Sequence, residues 1–204
     1  MYSHSAGSNS TTKVTLAIVL AFALAATGCA ARWLSAALAD LPVLTQMALN
    51  IAALVATLES GKQLSAAESA AIQNLSAEAD KDLTLLQTLY NQYKANPDSS
   101  TLQKIESVIG DINQNLPALL LAAHISDLTL SARITAAVNL ILTTVNSFAQ
   151  LIPQNSPPVA AARAAGAKLK IPEAKDLKNQ WNQQVCAPSK NSALNGAVEM
   201  CVLR

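Results

Sequence analysis

Apolar residues recur at helical spacing in four stretches of the chain. In the first, Leu44, Ala48, Ile51, Val55 and Leu58 step by four and three, which puts them on one helix face. Asp40 just before Leu41-Pro42 reads as its start and Gly61 as its stop. The second opens with Ser65-Ala66-Ala67-Glu68, a capping box in which the two side chains satisfy each other's backbone donors. Its stripe is Ile72, Leu75, Ala79, Leu83, Leu86, Tyr90 and Tyr93, and Asn96-Pro97 ends it. The third starts around Asp98-Ser99-Ser100 and shows Ile105, Val108, Ile109, Ile112, Leu116 and Leu119. Pro117 is expected to kink or split it, because the ring clashes and one N–H is missing. The fourth follows Ser126-Asp127 and reads Ile134, Val138, Ile141, Val145, Phe148 and Ile152, with Pro153 as its end.

Seams of this kind fit helices packed at about +20°, and the short connections make neighbours antiparallel. The expected fold is all-α: an antiparallel bundle of about four helices over residues 29–152. Residues 153–171 read as an exposed, Pro-rich linker. Pro172 then takes the first position of a short helix, PEAKDLKNQWNQQV, which leads into a loop between Cys186 and Cys201. Trp181 has Leu177 and Val185 at i−4 and i+4, so packing accounts for it. No tract of 20–50 residues repeats clearly, which argues against a solenoid.

Composition narrows the classes. Of 204 residues, 51% are hydrophobic, 3% aromatic and 13% charged. That is too apolar for a disordered chain, and Ala and Leu with few Gly favour helices over a β-sandwich. The formal charge of +1 gives no electrostatic case for nucleic acid as a partner. The charge is nevertheless divided. Residues 29–152 hold six Lys/Arg against ten Asp/Glu, whereas residues 153–204 hold seven against three. The basic tail, including Arg163, Lys168, Lys170, Lys175 and Lys178, either folds back on the acidic bundle or touches an envelope protein or an anionic surface.

The N-terminus supplies an address. Lys13 precedes VTLAIVLAFALAA, thirteen residues without a charge, and then Thr27-Gly28-Cys29. This is the layout of a secretory signal over residues 1–28, and the run is short of the roughly 20 residues needed to span a bilayer. Ala26-Thr27-Gly28-Cys29 resembles the lipobox of bacterial lipoproteins. The resemblance implies cleavage before Cys29, lipidation of its thiol and, with Ala30 following, delivery to the outer membrane facing the periplasm. The same residues also fit ordinary cleavage near Ala23-Leu24-Ala25, giving a soluble secreted or periplasmic protein, or retention as a signal anchor. Trp33, close to the anchor and beside Arg32, would suit a membrane interface.

Cys186 and Cys201 are 15 residues apart with turn residues between them. In an oxidising periplasm they form a reasonable disulfide, worth about 3 kcal/mol by chain entropy. With no CxxC or nearby His, a metal site is not expected, and no cofactor is implied.

Catalytic chemistry is sparse. His4 falls in the signal, leaving His124, which reads as a helix C-terminal residue. No GxSxG, HExxH, P-loop or GxGxxG occurs. Glu78, Asp80 and Asp82 cluster on the second helix but lack the EF-hand spacing and Gly; with Lys81 among them they read as a solvated face. Residues 134–152 carry no charge and are long enough to span, but Thr135, Asn139, Thr143, Thr144, Asn146, Ser147 and Gln150 fall largely off the apolar seam, which suits a bundle. The function expected is therefore non-enzymatic contact at the envelope. The alternatives are a membrane-active helical protein, holin-like or pore-forming, and a small-ligand carrier or enzyme using an inter-helix pocket near His124 or the tyrosines.

Overall fold

A computed structural model describes residues 33–51, 53, 64–152, 172–188 and 201–204. Among them every regular element is a helix: α1 (Trp33–Ile51), α2 (Ala66–Ala95), α3 (Ser99–Ala122), α4 (Leu128–Leu151) and α5 (Ala174–Gln184). The signal segment 1–28, Cys29, Val55, Leu58, Gly61 and the linker 153–171 lie outside the described residues.

Local chemistry sets most helix starts as the sequence implies. Ser65 Oγ accepts from Glu68 N at 3.2 Å while Ser65 N donates to Glu68 Oε2 at 2.8 Å, the complete capping box. Asp98 accepts from Thr101 N at 2.8 Å to begin α3, and Asp127 accepts from Leu130 N at 2.9 Å to begin α4.

Two expectations need correcting. The first helix is already formed at Trp33, upstream of Asp40, and it runs through both Asp40 and Pro42. Trp33, Leu34, Ala37 and Leu41 extend the buried stripe upstream, and their burial outweighs the single hydrogen bond lost at Pro42, which stands on the exposed side. Likewise α3 passes Pro117 without a break, held by Ile112 and Leu116, both buried just before it.

The helices share one core. α2 packs on α3, α3 on α4, and α4 on α5. α1 joins through apolar side chains, through Ser76 Oγ of α2 donating to the Ala48 carbonyl, and through an aromatic column. The rings of Trp33 and Tyr90 meet edge to face at 5.4 Å, and Tyr90 meets Phe148 of α4 likewise at 6.3 Å. Trp33 is therefore only 3% exposed and occupies the core instead of a membrane interface. The start of α2 meets the turn after α3, where Ser126 N donates to Glu68 Oε1 at 2.9 Å. Polar residues of α4 also enter the packing. Thr144 is buried and bonds its own Leu140 carbonyl at 2.8 Å, and Asn146 accepts from Asn113 of α3 at 2.8 Å.

Tyr90 joins three helices, yet its buried hydroxyl has no hydrogen-bond partner. Tyr90→Phe should therefore raise stability by about 1–2 kcal/mol in urea denaturation, because an unsatisfied buried hydroxyl is removed while the ring stays. Tyr90→Ala should cost about 3–5 kcal/mol by leaving a cavity between α1, α2 and α4.

Candidate functional site

The densest set of specific polar contacts lies where the C-terminal segment meets the helices. Leu177, Trp181 and Val185 stand four apart on α5 and its end, and all are buried. Trp181 Nε1 donates to the Cys201 carbonyl at 2.9 Å, and Asn50 Nδ2 of α1 donates to the same oxygen at 3.2 Å. Gln46 Nε2 in turn donates to Asn50 Oδ1 at 2.9 Å, fixing the amide. The Cys186–Cys201 disulfide is present with Cα atoms 5.7 Å apart, and both cysteines are buried. Asn182 and Leu203 exchange two bonds of 2.9 Å between side chain and backbone.

Arg133 of α4 completes the clamp. Its guanidinium is 6% exposed and donates to the Val185 carbonyl at 3.0 Å and the Ala187 carbonyl at 2.6 Å. These oxygens lie at the C-terminal end of α5, where helix carbonyls lack partners and the macrodipole favours a cation. Burial lowers the Arg133 pKa, partly offset by the Asp127 carboxylate. Its residue type offered no hint of this role; a single cation in an apolar stretch was the available sign.

α5 is thus held by apolar contact, backbone carbonyls and a covalent bond. Among the described residues the one ion pair, Lys81–Glu78 at 2.8 Å, lies within α2. Lys175 is exposed and Lys178 donates to the Arg204 carbonyl at 2.6 Å. Arg163, Lys168 and Lys170 lie outside the described residues.

Two carboxylates are buried. Asp40 is 2% exposed, with one oxygen unpartnered. Burial, and secondarily the Glu173 carboxylate at the start of α5, pushes its pKa up to about 7. Asp82 also has an unpartnered oxygen, and burial, then Glu78, raises its pKa. It is therefore not part of a solvated face, although Lys81 on the same turn is exposed. Position explains the difference: Asp82 adjoins Ala79, Leu83 and Leu86 on the inward side of α2.

The remaining nominated groups do not converge. His124 is exposed, with a φ of 40° just past the end of α3, where left-handed backbone commonly closes a helix. Tyr90 is in the core and Tyr93 leans on Trp33 with ring centres 6.1 Å apart. A surface groove of about 700 Å³ runs between α2 (Asn74, Glu78, Lys81) and α3 (Asn115, Ala118, Leu119), and a cavity of about 190 Å³ lies between α4 and α5 near Thr144 and Asp176. Neither is lined by His124 or a tyrosine. Among the described residues no group of three His, Cys, Asp or Glu could hold a metal.

Asp40 gives the clamp a pH dependence. The native state keeps a proton that the unfolded chain, with a pKa of about 4, releases. Its contribution is fully present below about pH 4 and is lost as pH rises to about 7. Asp40→Asn should therefore be more stable than the parent at about pH 8, with the gap closing toward about pH 4; equal thermal midpoints across that range would contradict the assignment. No known protein family, curated protein or solved structure matches this chain.

Proposed function

We propose that this chain is a non-enzymatic, lipid-anchored protein of the bacterial cell envelope that acts by contact with other envelope components. The observation that carries the reading is Ala26-Thr27-Gly28-Cys29 directly after an apolar, uncharged run. On this reading residues 1–28 are a signal, Cys29 carries the lipid, and the folded part faces the periplasm, with the outer membrane favoured over the inner. The buried Cys186–Cys201 disulfide supports an oxidising compartment.

The finer architecture we propose is an antiparallel bundle of α1 to α4. The contact between Glu68 and Ser126 supports it, because it brings the start of α2 to the end of α3, as does the short connection between those helices. Trp33 stands four residues after Cys29 and is packed on Tyr90 and Tyr93 near the end of α2. The lipid would then attach at that end of the bundle. Exposed Lys175, with the basic residues upstream of it, offers contact to an anionic surface or an envelope protein. A non-enzymatic role is favoured because His124, the sole His after the signal, is exposed and lines neither cavity.

Metabolic labelling of cells with radioactive palmitate tests the anchor. The parent chain should be labelled and Cys29→Ser should lose the label; equal labelling of both would overturn the proposal.

A further inference from the structure

Where α2 packs on α3, two rows of side chains change character along their length. On α2, Asn74, Glu78 and Asp82 are spaced by four residues and share one face. On α3, Asp111, Asn115 and Leu119 do the same. The groove of about 700 Å³ between the helices is lined by Asn74 and Glu78 from the first row and Asn115 and Leu119 from the second, with the small side chains of Ala77 and Ala118 among them. Its volume is that of a small-molecule site. Asp82 and Asp111 continue the rows past the Glu78 end and sense one another: burial first and the Glu78 carboxylate next raise the Asp82 pKa, Lys81 lowers it, and Asp111 raises it again.

Charge at that end is unbalanced. Three carboxylates, Glu78, Asp82 and Asp111, share the field of one ammonium, Lys81. Lys81 is paired with Glu78 at 2.8 Å through a side chain that stays 67% exposed. Asp82 is 6% exposed, and one of its oxygens has no hydrogen-bond partner, a costly state that a second cation would relieve. Among the described residues no group of three His, Cys, Asp or Glu could hold a metal, which needs its oxygens within about 2–2.6 Å. Cations on separate atoms match the spacing instead. Residues four apart stand about one helix turn apart, ~5.4 Å along the axis, and a chain of four methylenes between two ammonium groups covers that distance.

We propose that the groove between α2 and α3 binds a linear aliphatic di- or polyamine. One terminal ammonium takes Asp82, whose side chain rotates toward the exposed Asp111 to present its unpartnered oxygen. The next ammonium takes Glu78 and releases Lys81 to solvent. The Asn74 and Asn115 amides offer carbonyl oxygens further along, and the methylenes lie against Ala77, Ala118 and Leu119. An anion would be repelled by the three carboxylates. The inference goes beyond the envelope reading and does not depend on acylation of Cys29.

Isothermal titration calorimetry of the full chain at physiological salt, with putrescine, spermidine and butylamine as probes, tests it. Putrescine and spermidine should bind saturably, one molecule per chain, and butylamine, with a single ammonium, about tenfold more weakly. Asp82→Asn and Asp111→Asn should each raise the putrescine Kd about tenfold; Asp111 is exposed, so that variant keeps its fold. Ala118→Leu should abolish binding by filling the groove. Asp80→Asn and Glu106→Gln remove the same charge from positions off the two rows and should leave the Kd within about twofold. No saturable heat, butylamine binding as tightly as putrescine, undiminished binding by Ala118→Leu, or equal weakening by all four acidic variants would each overturn the proposal.

Discussion

A buried guanidinium keeps its charge and must find acceptors, and that constraint organises the C-terminal third of this structure. Arg133 lies on α4 among apolar neighbours, and an uncompensated cation there would be strongly destabilising. Its acceptors are the carbonyls of Val185 and Ala187. They are available only because α5 ends at that point and leaves its last carbonyls unpaired. Docking α5 then buries Trp181, which reaches the Cys201 carbonyl, and brings Cys186 to Cys201. One charge on α4 thereby fixes where a segment more than fifty residues later must end.

The polar groups in the interior fall into two kinds. Arg133, Asn50, Asn182 and Thr144 are hydrogen-bonded, and they cost little to bury because their partners are in place. Trp33 Nε1, the Tyr90 hydroxyl and single oxygens of Asp40 and Asp82 are buried without such partners. Each of these removes stability relative to an apolar residue of similar shape. The aromatic pair lies where α1 meets α2 and Asp82 is on the inward side of α2, whereas Asp40 feels Glu173 at the start of α5. The C-terminal clamp is thus well hydrogen-bonded at its disulfide end, while at its other end a buried carboxyl, Asp40, feels the Glu173 carboxylate.

The fold is legible in the sequence where the determining chemistry is local. The capping box at Ser65–Glu68 and the Asp98 and Asp127 caps are contacts over three residues, and spacing alone reveals them. The pairing of Cys186 with Cys201 is legible from their spacing of 15 residues and the turn residues between them. The helical turns of α1 upstream of Asp40 are not, because Asp40 and Pro42 are start signals only where the preceding residues have nothing to bury, and Trp33, Leu34 and Ala37 do. The burial of Asp82 is hidden because a run of charges obscures which member points inward. Arg133 could not be assigned at all: its partners are backbone carbonyls 52 and 54 residues away, and a carbonyl leaves no mark in a sequence.

The division of charge along the chain also acquires a different meaning. An acidic bundle and a basic tail suggest attraction between opposite charges, yet the described part of the tail docks with no ion pair to the acidic helices. What joins them is a cation from the bundle side, Arg133, set on neutral carbonyls of the tail. Exposed pairs would have contributed little and weakened with salt, whereas a buried, bidentate contact beside a disulfide is screened far less. The exposed lysine of α5 is consequently left uncommitted by the docking. Attachment and surface charge are separate functions of the same eleven-residue helix: its inner face closes the protein, and its outer face presents the charge to whatever lies beyond it.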